Sequence, residues 1–184
     1  MRKLTALALT SAVTAAIAFP GLALAAGSGS DAPPKPTETT KTCLFGKVFD
    51  PATKKCVKVE KSSALDPDLL YGAVRELAYA GEYDRAQQVL SVMDQDDDRV
   101  LTYWGFTHRK MGHDALAEEY YQQALANNPD NILARSYMGQ GYVAQGRIEE
   151  AITQWKEIVA RGGDKTWAEA SLREAIMTGM TYSY

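Results

Sequence analysis

The chain has 184 residues, of which 46% are hydrophobic, and a formal net charge of -3. This length is enough for one modest domain with its own core and a smaller element beside it. The composition excludes a collagen-like chain, a coiled-coil rod and a fully disordered chain. Because acidic and basic residues nearly balance, we expect no nucleic-acid partner.

Residues 1–25 are predicted to be a secretory signal peptide. Arg2 and Lys3 give a positive start, residues 4–18 carry no charge, and Ala23-Leu24-Ala25 has the small-x-small pattern of a cleavage site, with cleavage after Ala25. The charge-free run is shorter than the roughly 20 apolar residues that span a bilayer. We therefore expect a periplasmic or secreted protein of a bacterial envelope, without stable membrane insertion after signal cleavage.

Residues 26–42 are predicted to be a disordered linker, because Gly, Ser, Thr and Pro dominate the segment and no residue in it could anchor a core. Charge also divides the chain. Residues 26–61 hold seven Lys and four acidic residues, whereas residues 62–184 hold eleven basic and nineteen acidic residues. This break indicates two modules.

Residues 43–61 are predicted to form a small disulfide-closed β-hairpin. Cys43 and Cys56 would pair in the oxidising environment of an exported protein. Two short strand-like runs flank residues 50–53, where Asp, Pro and Thr favour a turn. A metal site would need more ligands than two cysteines, and a redox pair is usually spaced Cys-x-x-Cys.

The hairpin pattern C-x2-G-x-V-x-D-P-x4-C resembles small carbohydrate-binding disulfide hairpins of the chitin-binding kind. This resemblance implies an alternative function, in which the hairpin is a binding module for cell wall or glycan. The basic residues available for that contact are Lys47, Lys54, Lys55 and Lys58. Whether the hairpin binds glycan or is only a structural clip stays open at this point.

The rest of the chain contains a repeat with a period of 34 residues. Shifted by 34, Gly105 meets Gly139, Gly112 meets Gly146, and Ala117 meets Ala151. Each unit holds two helix-forming stretches separated by a short turn, at residues 100–111 and 114–126 and again at 132–145 and 148–160. A period of 34 with two helices per unit predicts a helical solenoid.

These residues resemble the tetratricopeptide repeat (TPR). The small residues of the family pattern fall on Gly105, Gly112, Ala117 and Ala124 in one unit, with Pro129 after them, and on Gly139, Gly146 and Ala151 in the next. A divergent third unit surrounds residues 80–86. The resemblance implies an all-α, right-handed solenoid of three repeats in residues 62–184. A last helix, with Thr166 and Glu169 as a capping box, would close it.

The resemblance also implies residue roles. Gly105, Ala117, Ala124, Gly139 and Ala151 would let paired helices approach closely. A concave groove, lined by the first helix of each repeat, would bind a protein or peptide partner. Its predicted contact residues are Tyr71, Arg75, Arg99, Thr102, Tyr103, Phe106, Arg109, Arg135, Ser136, Tyr137, Gln140 and Val143.

No motif indicates catalysis, a cofactor or a metal. Residues 139–144 fit G-x-G-x-x-A, but no strand precedes them. Residues 94–98 begin like a calcium loop, but Arg99 stands at the obligatory Gly position. His108 and His113 are five residues apart across a Gly and are not expected to share a helix face. We therefore predict a non-enzymatic adaptor, although a cryptic enzyme or an accessory subunit of an enzyme stays open.

Overall fold

The structure is a computed structural model that describes residues 35–44, 46–60 and 65–181. The predicted signal peptide, its cleavage at Ala25 and residues 26–34 of the predicted linker lie outside the described residues. Within these three segments no helix is long and apolar enough to cross a membrane.

Seven helices form the solenoid. They are α2 (Pro67–Tyr79), α3 (Tyr83–Leu90), α4 (Asp98–Lys110), α5 (Asp114–Asn127), α6 (Ile132–Ala144), α7 (Ile148–Ala160) and α8 (Trp167–Thr178). The pairs α2/α3, α4/α5 and α6/α7 are the three predicted repeats, and α8 is the predicted last helix. The all-α solenoid with a small β-hairpin in front of it is therefore confirmed.

The solenoid has two layers. Helices α2, α4, α6 and α8 contact one another in sequence and form the inner layer, and α3, α5 and α7 pack against them from outside. Each helix pair turns at a glycine with positive φ, namely Gly81, Gly112 and Gly146. This left-handed conformation ends the first helix and reverses the chain direction. The turns therefore repeat with the period of the sequence.

Small residues lie where helices cross closely. A Cβ atom on Gly105 would lie 2.6 Å from Cε1 of Tyr121, and one on Gly139 would lie 2.7 Å from Cδ2 of Leu172. Ala117, Ala124 and Ala151 are buried at the same layer boundary. The close approach lets large side chains fill the space around these positions.

Helix α8 packs as a fourth inner helix. The Thr166 side chain accepts a hydrogen bond from the backbone N of Glu169 (3.2 Å), as the predicted cap requires. The Glu169 carboxylate instead accepts from Nε1 of Trp155 (2.8 Å), which ties α8 to α7. Leu172 is fully buried below α6.

The predicted hairpin is present. Strands β1 (Lys47–Asp50) and β2 (Lys55–Lys58) pair antiparallel. The Asp50 carboxylate accepts from the backbone N of Ala52 (2.9 Å) and fixes the turn. A disulfide joins Cys43 to Cys56, whose Cα atoms are 5.5 Å apart.

The structure differs from the predicted linker where that segment is described. Helix α1 (Glu38–Lys41) is a single turn that packs on α2 and β1. Val48 and Val59 of the hairpin region join the same hydrophobic core as the solenoid. The described part of the first module is thus packed against the second, which its Gly, Ser and Pro content does not predict.

Candidate functional site

The inner layer carries a continuous row of aromatic rings, one from each inner helix. We call Tyr71, Tyr103, Tyr137 and Trp167 the aromatic row. Ring centroids of Tyr71 and Tyr103 are 5.5 Å apart, those of Tyr103 and Tyr137 are 6.2 Å apart, and those of Tyr137 and Trp167 are 6.0 Å apart. All three pairs meet edge to face, a favourable arrangement for aromatic rings.

Three members of the aromatic row were predicted as groove residues, whereas Trp167 was not. The 34-residue period joins Tyr103 to Tyr137, but extending it from Tyr137 into α8 reaches Ser171, so the period alone does not find Trp167. Helix α8 packs on α6 as the first helix of a further, incomplete repeat would. Because Trp167 lies on this helix, the aromatic row extends across all four inner helices.

Most of the predicted contact residues are buried within the chain. Tyr71 is 6% exposed and Tyr137 is 1% exposed, and burial raises the pKa of both phenols well above the ordinary value. Ten of the twelve are buried: Tyr71, Thr102, Tyr103, Phe106, Arg109, Arg135, Ser136, Tyr137, Gln140 and Val143. Their contact with a partner stays a prediction, and their visible role is to pack the inner helices together.

The polar residues of this set connect neighbouring inner helices. The hydroxyls of Ser136 on α6 and Ser171 on α8 are 3.3 Å apart, and the amide of Gln140 donates to both (3.4 Å). Thr102 on α4 accepts from Nδ2 of Asn131, the residue that caps α6 (3.0 Å). These buried groups satisfy one another, so burying them costs little.

Arg75 and Arg99 are the half-buried members of the predicted set. Arg99, at the start of α4, pairs with Asp97 and with Asp68 of α2 (both 2.9 Å). These two hydrogen bonds raise the pKa of the guanidinium. Its Cζ also lies 4.9 Å from the centre of the Tyr71 ring, a cation–π geometry. A fixed cation therefore stands at one end of the aromatic row.

Arg135 does not lie in a groove with Arg99. Its guanidinium donates to the backbone O of Pro129 (2.9 Å) and to Oε1 of Gln154 on α7 (3.1 Å). The side chain therefore faces the outer layer of its own repeat, and burial lowers its pKa. The repeat spacing correctly placed Arg135 on α6, but it did not determine the side of the helix from which the side chain projects.

Arg109 also faces the interior of the repeats. Its Cδ lies 3.1 Å from the position of a Cβ on Gly141 of α6. Among the described residues, its Nε and Nη2 and the hydroxyl of Tyr121 have no hydrogen-bond partner. A cavity of about 10 Å³, lined by these groups and by Glu118 and Tyr142, lies beside them. A space of that size holds one water molecule.

The two histidines do not share a helix face, since His108 is on α4 and His113 precedes α5, but the turn between the helices brings their rings together. Nδ1 of His108 and Nδ1 of His113 are 3.3 Å apart at the surface between α4 and α5. Partial burial and the neighbouring His113 lower the pKa of His108. The described residues contain no group of three or more His, Cys, Asp or Glu side chains arranged to hold a metal ion.

The hairpin presents a basic surface. Lys47 and Lys58 stand directly opposite each other on the two strands, and Lys54 and Lys55 are exposed at the turn. Like charges directly opposite on paired strands are destabilising. Binding of an anionic ligand would therefore reduce the repulsion between these lysines and stabilise the hairpin.

The stacked helix pairs define a helical repeat scaffold. A family model described as tetratricopeptide repeat matches residues 112–174, which cover α5, α6, α7 and most of α8, and this match supports a tetratricopeptide repeat protein. Proteins of this family are typically non-enzymatic scaffolds that bind other proteins. The comparisons with curated proteins and with solved structures found no match.

Proposed function

We propose that this chain is an exported adaptor that binds a partner polypeptide along the inner layer of its solenoid. The observation that supports the proposal is the aromatic row, which runs unbroken across the four inner helices. Arginine and tyrosine are enriched at the energetic centres of protein interfaces. Binding a partner in this way requires a surface of complementary shape and charge and needs no catalytic group.

The partner would meet the accessible edge of this layer, because the three tyrosine rings are buried and only the Trp167 ring is partly exposed. Arg75 and Arg99 are half-buried there, on neighbouring helices. An acidic or polar stretch of the partner would pair with these guanidinium groups.

Export is part of the proposal. The positive, apolar and small-residue segments of residues 1–25 support it. The disulfide between Cys43 and Cys56 supports it too, since disulfides form and persist in oxidising compartments. Fusion of residues 1–25 to a reporter that is active only outside the cytoplasm would test this part separately.

Reversing the two accessible inner-layer charges should abolish partner capture. In the double variant Arg75→Glu and Arg99→Glu, we expect recovery of the partner from envelope extract to fall at least tenfold, because charge attraction becomes repulsion. Loss of the Arg99 pair with the exposed Asp68 should cost no more than about 1 kcal/mol of stability.

The control is Lys156→Glu, a single charge reversal on outer helix α7, where the side chain is exposed. Recovered proteins would be quantified by mass spectrometry, and circular dichroism would verify that each variant is folded. Equal recovery by the double variant and by the control would exclude the inner layer as the binding surface.

We propose a second candidate function for the hairpin, namely contact with an anionic polysaccharide of the cell wall. The opposed Lys47 and Lys58 favour it. In the full chain, Lys54→Gln with Lys58→Gln should lower sedimentation with purified wall polysaccharide several-fold, and added salt should lower wild-type binding likewise. Lys156→Gln is the control, and equal binding by all three proteins would remove this candidate.

A further inference from the structure

The turn between α4 and α5 brings two imidazoles together at the surface of the central repeat. Gly112 adopts φ of +84°, and the backbone N of His113 donates to the backbone O of His108 (2.9 Å). This bond, from the second residue past the helix end back to the last turn, is the Schellman arrangement. Side chains at these two positions of the motif come into contact, which explains why His108 and His113 meet.

The spacing of the two nitrogens suits a tetrahedral metal ion. Nδ1 of His108 and Nδ1 of His113 are 3.3 Å apart, with ring centroids 5.5 Å apart and ring planes at 45°. Zinc binds imidazole nitrogen at roughly 2.0–2.1 Å, and a tetrahedral angle then separates two such nitrogens by about 3.3–3.4 Å. The observed contact is a hydrogen bond between the two nitrogens. Zinc would displace its shared proton and turn both lone pairs toward the ion, with little change in the distance between the nitrogens.

One of the two rings is held firmly. The His108 ring stacks on Tyr120 of α5, with centroids 5.5 Å apart and planes at 1°, and on Trp104, with centroids 5.8 Å apart and planes at 18°. The other ring, His113, is exposed and directly follows the turn. A rigid ligand beside an accessible one allows an ion to enter from solvent.

We propose that His108 and His113 form a surface site for Zn²⁺, bound through Nδ1 of both imidazoles. The described residues supply these two ligands, and water or a donor from another molecule would complete the tetrahedron. The ion would join the end of α4 to the start of α5, so its binding would stabilise the folded central repeat. Sites with positions left open are those at which zinc can take up a further ligand.

Calorimetric titration of Zn²⁺ into the untagged full chain tests the site. We expect one ion per chain, and at least tenfold weaker binding in His113→Ala and in His108→Phe. Phenylalanine preserves a ring for stacking on Tyr120 but has no nitrogen. Zinc should raise the thermal midpoint of the wild type and leave those of the two variants unchanged, and Mg²⁺ should have no effect on any of them.

Two results would overturn the proposal. One is the absence of zinc binding to the folded wild type at millimolar concentration. The other is equal affinity of the wild type and of His113→Ala, which would place the ion elsewhere. Because His113 is exposed and its side chain makes no capping hydrogen bond, its substitution should not unfold the chain.

Discussion

Gly105→Ala should destabilise the solenoid by about 1–3 kcal/mol, although alanine is the better helix former. Gly105 lies in the middle of α4, and an added Cβ would come within 2.6–2.9 Å of three atoms of the Tyr121 ring. That ring is 1% exposed and enclosed between α4 and α5. The cavity of about 10 Å³ beside the ring is too small for the ring to move into, so the two helices would have to separate.

Gly72→Ala is the matched control, and we expect it to change the free energy of unfolding in the opposite direction. Gly72 is also inside a helix, but no atom lies within 4 Å of the position of its Cβ. The substitution should stabilise by about 0.5–1 kcal/mol through helix propensity. Urea denaturation followed by circular dichroism measures both values. Stabilisation by both substitutions would mean that the α4–α5 contact is looser than the structure shows.

The contrast between these two glycines shows what the period of the sequence could predict. Gly105 recurs as Gly139 after one repeat, and both are close-contact positions. Gly72 lies outside the pattern and has open space beside it. Periodicity identified the helices and turns because the same packing problem returns in every repeat.

The departures from the period also have a physical reason. Ile158 stands where the preceding repeat has Ala124, and Gly163 stands where it has Pro129. A Cβ on Gly163 would lie 2.7 Å from Cγ2 of Ile158, which is fully buried. The larger residue and the smaller one therefore compensate each other, a relation that neither position reveals alone.

The candidate site was harder to predict than the fold. The sequence placed Tyr103, Tyr137 and Arg135 on the correct helices, but their exposure depends on neighbouring helices. Tyr137 is covered by its ring contacts with Tyr103, Phe106 and Trp167, and Arg135 is drawn to Gln154 on the outer layer. Helix phase alone does not determine such contacts, because they join residues far apart in the chain.

The docking of α1 was missed for a related reason. Thr37 and Thr40 belong to a segment rich in polar residues, and nothing local in it favours order. Their partner is Glu76, more than 35 residues away in α2, where it is 4% exposed. An acidic residue buried on an otherwise apolar helix face is the signal that could have revealed a polar partner.

Glu76→Ala should release α1 from the solenoid while the repeats stay folded. The carboxylate accepts four hydrogen bonds, from the backbone N and the hydroxyl of Thr37 (2.7 and 2.6 Å) and from those of Thr40 (3.1 and 2.5 Å). Hydrogen bonds to a charged group contribute about 1.5–3 kcal/mol each, and they are not additive. We expect the docking free energy of α1 to fall by about 3 kcal/mol.

Hydrogen exchange measured by mass spectrometry would detect the weaker docking of α1 in Glu76→Ala, because it reports on each segment separately. A change of about 3 kcal/mol corresponds to roughly a hundredfold faster exchange in residues 37–42. Peptides from α4 to α8 should be unaffected. Glu76→Gln, which keeps an acceptor oxygen, should fall in between, and Glu174→Ala on the exposed face of α8 is the control.

The opposite helix of the same repeat limits how far the released segment can move. Nη2 of Arg85 on α3 donates to the backbone O of Thr39 and of Cys43 (2.9 and 3.0 Å). One acidic and one basic side chain of the first repeat thus hold the segment that leads into the disulfide hairpin. If Glu76→Ala leaves exchange in residues 37–42 unchanged, Arg85 alone suffices. If exchange rises as expected, the Glu76 carboxylate is needed to hold residues 37–42 on the solenoid, in addition to Arg85.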